Sequence, residues 1–149
     1  MLLRRDRALL AVDLVLDVAF HAGRGVEVTG AAEVAERLGA ARRGIEPVLQ
    51  ALVRAGILDS LRGPRGGYRM ARAPREVSLA EVVEAVGDIA EAPDEPAGKL
   101  AAAVTQPLWQ ELEGALRERL AARTVEDLLK RAAAAGLKRP VSEPLHFVI

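Results

Sequence analysis

The run Arg62-Gly63-Pro64-Arg65-Gly66-Gly67-Tyr68 carries the residue types best suited to gripping a polyanion. Arg62 and Arg65 are permanent cations whose planar forks match phosphate oxygens and base edges. Pro64 fixes its own φ and stiffens the run. Gly66 and Gly67 admit positive φ and leave no Cβ between this backbone and another surface. The run lies between Ile57-Leu58-Asp59-Ser60-Leu61 and Tyr68-Arg69-Met70-Ala71, two short β-leaning segments, so the pattern predicts a β-hairpin with a long tip. A stiff, cationic, glycine-opened hairpin suits a phosphate backbone or a narrow minor groove. A plain solvated hairpin has the same ingredients, and the neighbouring elements must decide between the two. The glycine spacing fits neither the dinucleotide fingerprint nor the phosphate loop that ends in Lys-Ser/Thr.

Little else in the chain offers reaction chemistry. Its 149 residues include no cysteine and two histidines, His21 and His146. Disulfides, thiolate metal sites and cysteine nucleophiles are therefore excluded. No Ser, His and acid grouping has a recognisable spacing, and no cluster of metal-ligand type occurs, so neither an enzyme nor a cofactor is expected. No apolar run reaches the length of a membrane span, and Met1-Leu2-Leu3-Arg4-Arg5-Asp6 lacks the pattern of a signal peptide. A cytoplasmic protein is the expectation.

The elements that would hold the cationic hairpin are helical. Aromatic residues make up 3% of the chain while Ala, Leu and Val dominate, a mix that favours helix. The first helix is predicted from about Arg7 to His21, on Leu9, Val12, Leu16 and Ala19 or Phe20, with Gly23 and Gly25 ending it. Asp13, Asp17 and His21 form a polar stripe at i, i+4, i+8, read as a solvated face. A second helix runs from Gly30 to Leu38, with Gly30 as N-cap, Glu33 at N3 and Gly39 as the stop. A third starts near Arg43 or Gly44. Its apolar face is Ile45, Val48, Leu49, Leu52 and Val53, and Gly56 closes it. Pro47 is expected in its first turn, where a missing N–H costs nothing.

Two short helices across a tight glycine-bearing turn make a helix-turn-helix candidate. The outer stripe of the third helix is Arg43, Glu46, Gln50 and Arg54, with Arg42 just before it. Arg can pair with guanine, Gln with adenine, and Glu can accept from cytosine. Any solvated helix face shows similar residues. Helix, turn, helix and basic hairpin in unbroken order is the winged-helix arrangement, which is more specific than any one piece.

Charge supports a polyanion partner for the front half only. Through Arg75 there are 13 Lys and Arg against 8 Asp and Glu, and from Glu76 onward 8 against 13, within a net charge of zero. In the acidic back half, Ser78 and Glu81 form a capping box, with Val77 and Val82 as a hydrophobic staple. Glu91 to Gly98 is acidic, proline-bearing and aperiodic, and reads as a loop. Pro107 is placed at the start of the longest helix, where Leu108, Leu112, Leu116 and Leu120 recur every four residues beside Trp109. Such a stripe needs a partner surface: a second copy of the chain, the chain's own first helix, or both. Thr124 caps a last helix. The apolar tail Leu145 to Ile149 could dock as a strand.

The chain resembles the Rrf-two family, the IscR- and NsrR-type winged-helix transcription regulators. The resemblance rests on Arg62 to Tyr68 and its lead-in Leu49 to Leu58. Arg7 with Asp17 to Phe20 resembles the family's first helix, Ser78 to Val86 its fourth, and Pro107-Leu108-Trp109 with Thr124 to Leu128 its long dimer helix and the piece after it. It implies a third helix in the major groove and a wing in the minor groove. The DNA contacts it suggests, together with the residue types above, are Arg7, Arg42, Arg43, Glu46, Gln50, Arg62, Gly63, Pro64, Arg65, Gly66, Gly67 and Tyr68. Family members commonly hold an iron–sulfur cluster on three cysteines after the fourth helix; this chain has none.

The expected fold is mostly α with a small β-hairpin wing: a winged helix-turn-helix over residues 1–87, an acidic loop and short helix over 88–104, and a dimerisation helix and tail over 105–149. The expected function is a dimeric, sequence-specific regulator of transcription, a repressor, binding double-stranded DNA and pairing through Leu108, Trp109, Leu112, Leu116 and Leu120. A small-molecule effector of unknown identity between the dimer helix and the winged helix is left open. The alternative is a winged-helix module that binds another protein through its acidic C-terminal half.

Overall fold

A computed structural model describes residues 5–22, 28–87 and 98–140. Among them the chain forms helices α1 (Arg5–His21), α2 (Ala31–Leu38) and α3 (Arg42–Arg54), strands β1 (Leu58–Leu61) and β2 (Gly67–Met70), then α4 (Leu79–Gly87), α5 (Gln106–Ala121) and α6 (Val125–Ala134). This is the winged-helix fold with a long helix appended. The segments holding Gly23 and Gly25, most of the acidic loop from Glu91, and the tail from Leu145 with His146 lie outside the described residues.

The core forms around α1. Ala11, Leu14, Val15, Val18 and Ala19 are buried along it, and α1 packs on α3, α4 and α6. The face of α3 predicted from periodicity is the buried one, with Ile45, Leu49 and Leu52 fully enclosed and Val48 nearly so. From α4, Leu79, Val82 and Val86 join the same core. Apolar residues at three- and four-residue spacing therefore set the inner face of each helix, which leaves the outer face of α3 free.

Two sequence expectations need correction here, the place of Pro47 and the polar stripe of α1. Pro47 does not sit in the first turn of α3, because the helix already starts at Arg42 and Pro47 is inside it. The helix begins with a tight turn, Gly44 N donating to Ala41 O at 2.9 Å. Arg42, Arg43 and Gly44 are all exposed, so water can satisfy the carbonyl that a proline nitrogen cannot bond.

Pro107 does lie in the first turn of α5, as the sequence predicts, but the backbone ahead of it is helical too. Helical backbone already runs from Lys99, and a widened π turn over Ala101–Thr105 precedes α5. Gln106 N bonds Ala101 O, five residues back. A π turn commonly accommodates a local break in the α ladder, and a proline is such a break.

The polar stripe of α1 is not a solvated face. Asp17 is 9% exposed, and its carboxylate faces the protein interior.

Helices α4 and α6 begin on reciprocal caps. Ser78 N donates to Glu81 Oε2 at 3.0 Å and Glu81 N to Ser78 Oγ at 3.2 Å. Thr124 and Asp127 do the same for α6. The two caps meet: Leu79 N donates to Arg123 O at 2.9 Å, and Val125 N to Val77 O at 3.0 Å. Arg139, beyond α6, returns to the end of α1 and donates from Nη2 to Ala19 O at 2.6 Å, satisfying a terminal carbonyl with a cation.

Arg72, just after the wing, donates to Glu81 Oε1 at 2.8 Å and to Glu76 O at 2.6 Å. This guanidinium holds the Glu81 carboxyl below its ordinary value of 4.5. A lowered carboxylate pKa gives stability that is complete above the unfolded value and is lost as pH falls through the folded one. Glu81→Gln keeps the cap but removes the charge. It is expected to melt below wild type at pH 7, with the gap closing as pH is taken below 4.5. Thermal melts across that range check it.

Candidate nucleic-acid interface

The wing is a short antiparallel ribbon pairing Leu58 with Met70, Asp59 with Arg69, Ser60 with Tyr68 and Leu61 with Gly67. Its tip, Arg62 to Arg65, is exposed throughout. No described residue forms a hydrogen bond or ion pair with the guanidinium of Arg62 or Arg65, nor with that of Arg43. Among the described residues these three cations have no partner.

A groove of about 360 Å³ separates the wing from the helix-turn-helix. It is lined by Gly30, Ala31, Arg42, Glu46, Arg62 and Tyr68 among others. Across it, α3 presents Arg43, Gln50 and Arg54 to solvent, with Glu46 half-buried. Arg42 Nε lies 3.2 Å from Glu46 Oε1. Both side chains reach solvent, so the pair adds little stability and can be exchanged for another anion.

Of the residues named from sequence, Arg42, Glu46, Arg62, Gly66, Gly67 and Tyr68 line the groove, while Arg43, Gln50, Gly63, Pro64 and Arg65 flank it as exposed positions. Arg7 is half-buried on the first turns of α1 and does not line the groove.

The wing glycines do not serve the purpose their types suggested. The positive φ of the tip falls on Gly63, at 116°, not on Gly66 or Gly67. A Cβ on Gly66 would fall on the Leu61 carbonyl oxygen, and one on Gly67 would lie 2.5 Å from Thr29 O. The surface these glycines approach is the protein's own backbone.

That contact exposes what sequence reasoning missed. Thr29 pairs with Tyr68 as a one-residue third strand, Thr29 N to Tyr68 O at 2.9 Å and Tyr68 N to Thr29 O at 2.8 Å. The Thr29 side chain is buried and accepts a 2.6 Å hydrogen bond from Arg37 Nη2. The same nitrogen lies 2.7 Å from Asp17 Oδ2, and Arg37 Nε lies 3.1 Å from both carboxylate oxygens. This two-pronged grip pushes the Arg37 pKa above its ordinary value. His21 Nδ1 completes the cluster, 2.8 Å from Asp17 O. Tyr68 is half-buried and packs against the core, so it holds the base of the wing as well as lining the groove. Asp17, Thr29 and Arg37 fall at no local spacing, and no periodicity could have joined them.

The profile of the Rrf2 family, described as "Iron-dependent Transcriptional regulator", matches residues 6–131. The chain belongs to the Rrf2 family. It is 31% identical over 125 residues to the HTH-type transcriptional regulator IscR of Xenorhabdus nematophila, covering 80% of this chain and 74% of that one. The structure of T. potens IscR superposes with a TM-score of 0.70 at 26% identity, over 90% of each chain. CymR (YrzC), titled the global cysteine regulator of B. subtilis, shares the fold with a TM-score of 0.68 at 22% identity, over 88% of this chain and 98% of that one.

The iron dependence in the description of Rrf2 does not fit a thiolate-held cluster in this member. Iron–sulfur clusters are bound by cysteine thiolates, and the sequence contains no cysteine. Among the described residues no group of three or more His, Asp or Glu could hold a metal ion either.

The close approach of Thr29 to Gly67 gives a direct test of the wing's seating. Gly67→Ala should cost about 1–3 kcal/mol of stability, because a backbone must shift to admit the methyl group. Urea denaturation of the variant beside wild type measures it.

Proposed function

We propose that two copies of this chain, paired along α5, bind a pseudo-palindromic DNA site, with α3 in the major groove and the wing in the adjacent minor groove. The observation that carries this reading is the pair of exposed guanidinium groups of Arg62 and Arg65, without a partner among the described residues, on a hairpin beside the exposed outer face of α3. Unpaired cations need no internal partner broken before they meet phosphate. Arg62 and Arg65 suit the width and potential of a narrow A·T-rich minor groove, while Arg43, Glu46 and Gln50 have the donors and acceptors for base edges. A dimer would set its two α3 helices about 34–36 Å apart, one turn of the duplex. Bound over a promoter it would exclude polymerase, so the expected effect is repression, exerted without an iron–sulfur cluster.

Pairing along α5 is supported by its surface. Leu108, Trp109, Leu112 and Leu116 are 36–50% exposed, and upstream Leu100 and Val104 extend the stripe. Leu120 departs from the sequence expectation, being half-buried and packed against the chain's own core. A repeat of four residues turns by roughly 40° per step on a helix of 3.6 residues per turn. Three steps carry Leu120 about 120° from Leu108, so one stripe serves both surfaces.

Arg65→Ala should weaken binding to the recovered site by about 1–3 kcal/mol and reduce its salt dependence. Gel shifts at several salt concentrations read both, and an unchanged affinity removes the wing from the mechanism. Leu112→Glu should yield a monomer by light scattering and lose tight binding to the two-half-site duplex. Sequencing of genomic fragments bound by the wild-type chain should return an inverted repeat. Random recovery would instead favour a protein partner on the acidic half.

A further inference from the structure

Asp17 and Thr29 are the two polar side chains buried among the described residues, and Arg37 joins them through a single nitrogen. In this ion pair Asp17 is buried and Arg37 partly so; such a pair is weak evidence for stability, since desolvation offsets much of the Coulombic gain, and its better-supported use is to select one arrangement over others. The arrangement selected here is traceable bond by bond. Asp17 belongs to α1, and Arg37 to α2, which packs on α3. Arg37 grips Thr29, and Thr29 exchanges two backbone hydrogen bonds with Tyr68 of β2. Tyr68 lies opposite Ser60, and both strands run directly into the cationic tip. Gly67 lets the Thr29 backbone approach without obstruction. The helix-turn-helix and the wing are thus joined at Thr29 by hydrogen bonds of defined direction, where apolar packing would tolerate sliding.

We propose that Arg37, held by Asp17 and bonded to Thr29, is a positioning residue for DNA binding: it fixes the placement of the wing relative to α3, so that Arg62 and Arg65 enter the minor groove when α3 occupies the major groove. This rests on the reading of the wing and α3 as the DNA-binding surface. Asp17, Thr29 and Arg37 are not among the residues that line the groove between the wing and α3. On this reading Arg37 acts on DNA binding through the wing, and that distinguishes it from a residue that merely supports the fold.

A double-mutant cycle tests it, using the duplex most enriched by the wild-type chain from random-sequence DNA. Thr29→Val removes the oxygen that Arg37 holds while keeping the backbone pairing and the side-chain volume. Alone it should weaken binding about three- to tenfold. In a chain already carrying Arg62→Ala and Arg65→Ala it should cause almost no further loss, because there is no wing contact left to misplace. Thr29→Ser, which restores the hydroxyl, should recover wild-type affinity. Arg37→Lys keeps a cation beside Asp17 but lacks the fork that reaches Thr29, and should give the same non-additive result independently of packing at Thr29. Equal losses in the two backgrounds, or no loss from Thr29→Val and Arg37→Lys in the intact chain, would overturn the inference. An Arg62→Ala, Arg65→Ala chain that binds as tightly as wild type would instead sink the DNA-binding reading of the wing, and the inference with it.

Discussion

The placement of the wing depends on one part-buried contact, the grip of Arg37 on Asp17 and Thr29. Two-stranded ribbons of four residues a side are marginal on their own. Among the described residues this one gains a third neighbour only at Thr29, and Thr29 is held in place from the helix side. The apolar core seats α1, α3 and α4 against one another, yet hydrophobic burial is non-directional and sets no angle for a hairpin at its edge. Hydrogen bonds of fixed geometry supply that angle.

The same division of labour runs through the C-terminal half. Reciprocal caps at Ser78 and Thr124 start α4 and α6, and the backbone bonds between them lock the two starts together. Arg72 then ties the exit of the wing to the first turn of α4. Burial supplies the driving force, and a small number of directed polar contacts choose the arrangement. The exposed cations are left out of these contacts, which keeps them available to an outside partner.

Much of this was legible in the sequence, for identifiable reasons. The inner face of α3, the capping boxes, the hairpin and its exposed arginines all follow from short-range spacing, and short-range spacing is what a sequence displays. What could not be read was long-range. Asp17 looked like one member of a solvated stripe because its partner lies on another helix. Gly66 and Gly67 looked like openings toward a ligand because the backbone they admit comes from Thr29, far earlier in the chain. Pro107 does mark the first turn of α5, whereas the same general preference misplaces Pro47, because exposed residues from Arg42 let α3 begin before it. Leu120 was assigned to the outer stripe because a four-residue period looks straight on paper and is not straight on a cylinder.

That last feature bears on the shape of the proposed pair. A stripe that winds around its helix cannot form a long parallel seam with a copy of itself, because the two apolar surfaces part after a few turns. Two such helices would meet the way scissor blades do, at a pivot near Leu108 to Leu116, with the reading heads carried on the handles. In that geometry a small change of crossing angle is magnified by the length of the arm, and the gap between the two α3 helices becomes the quantity an inducer would have to alter.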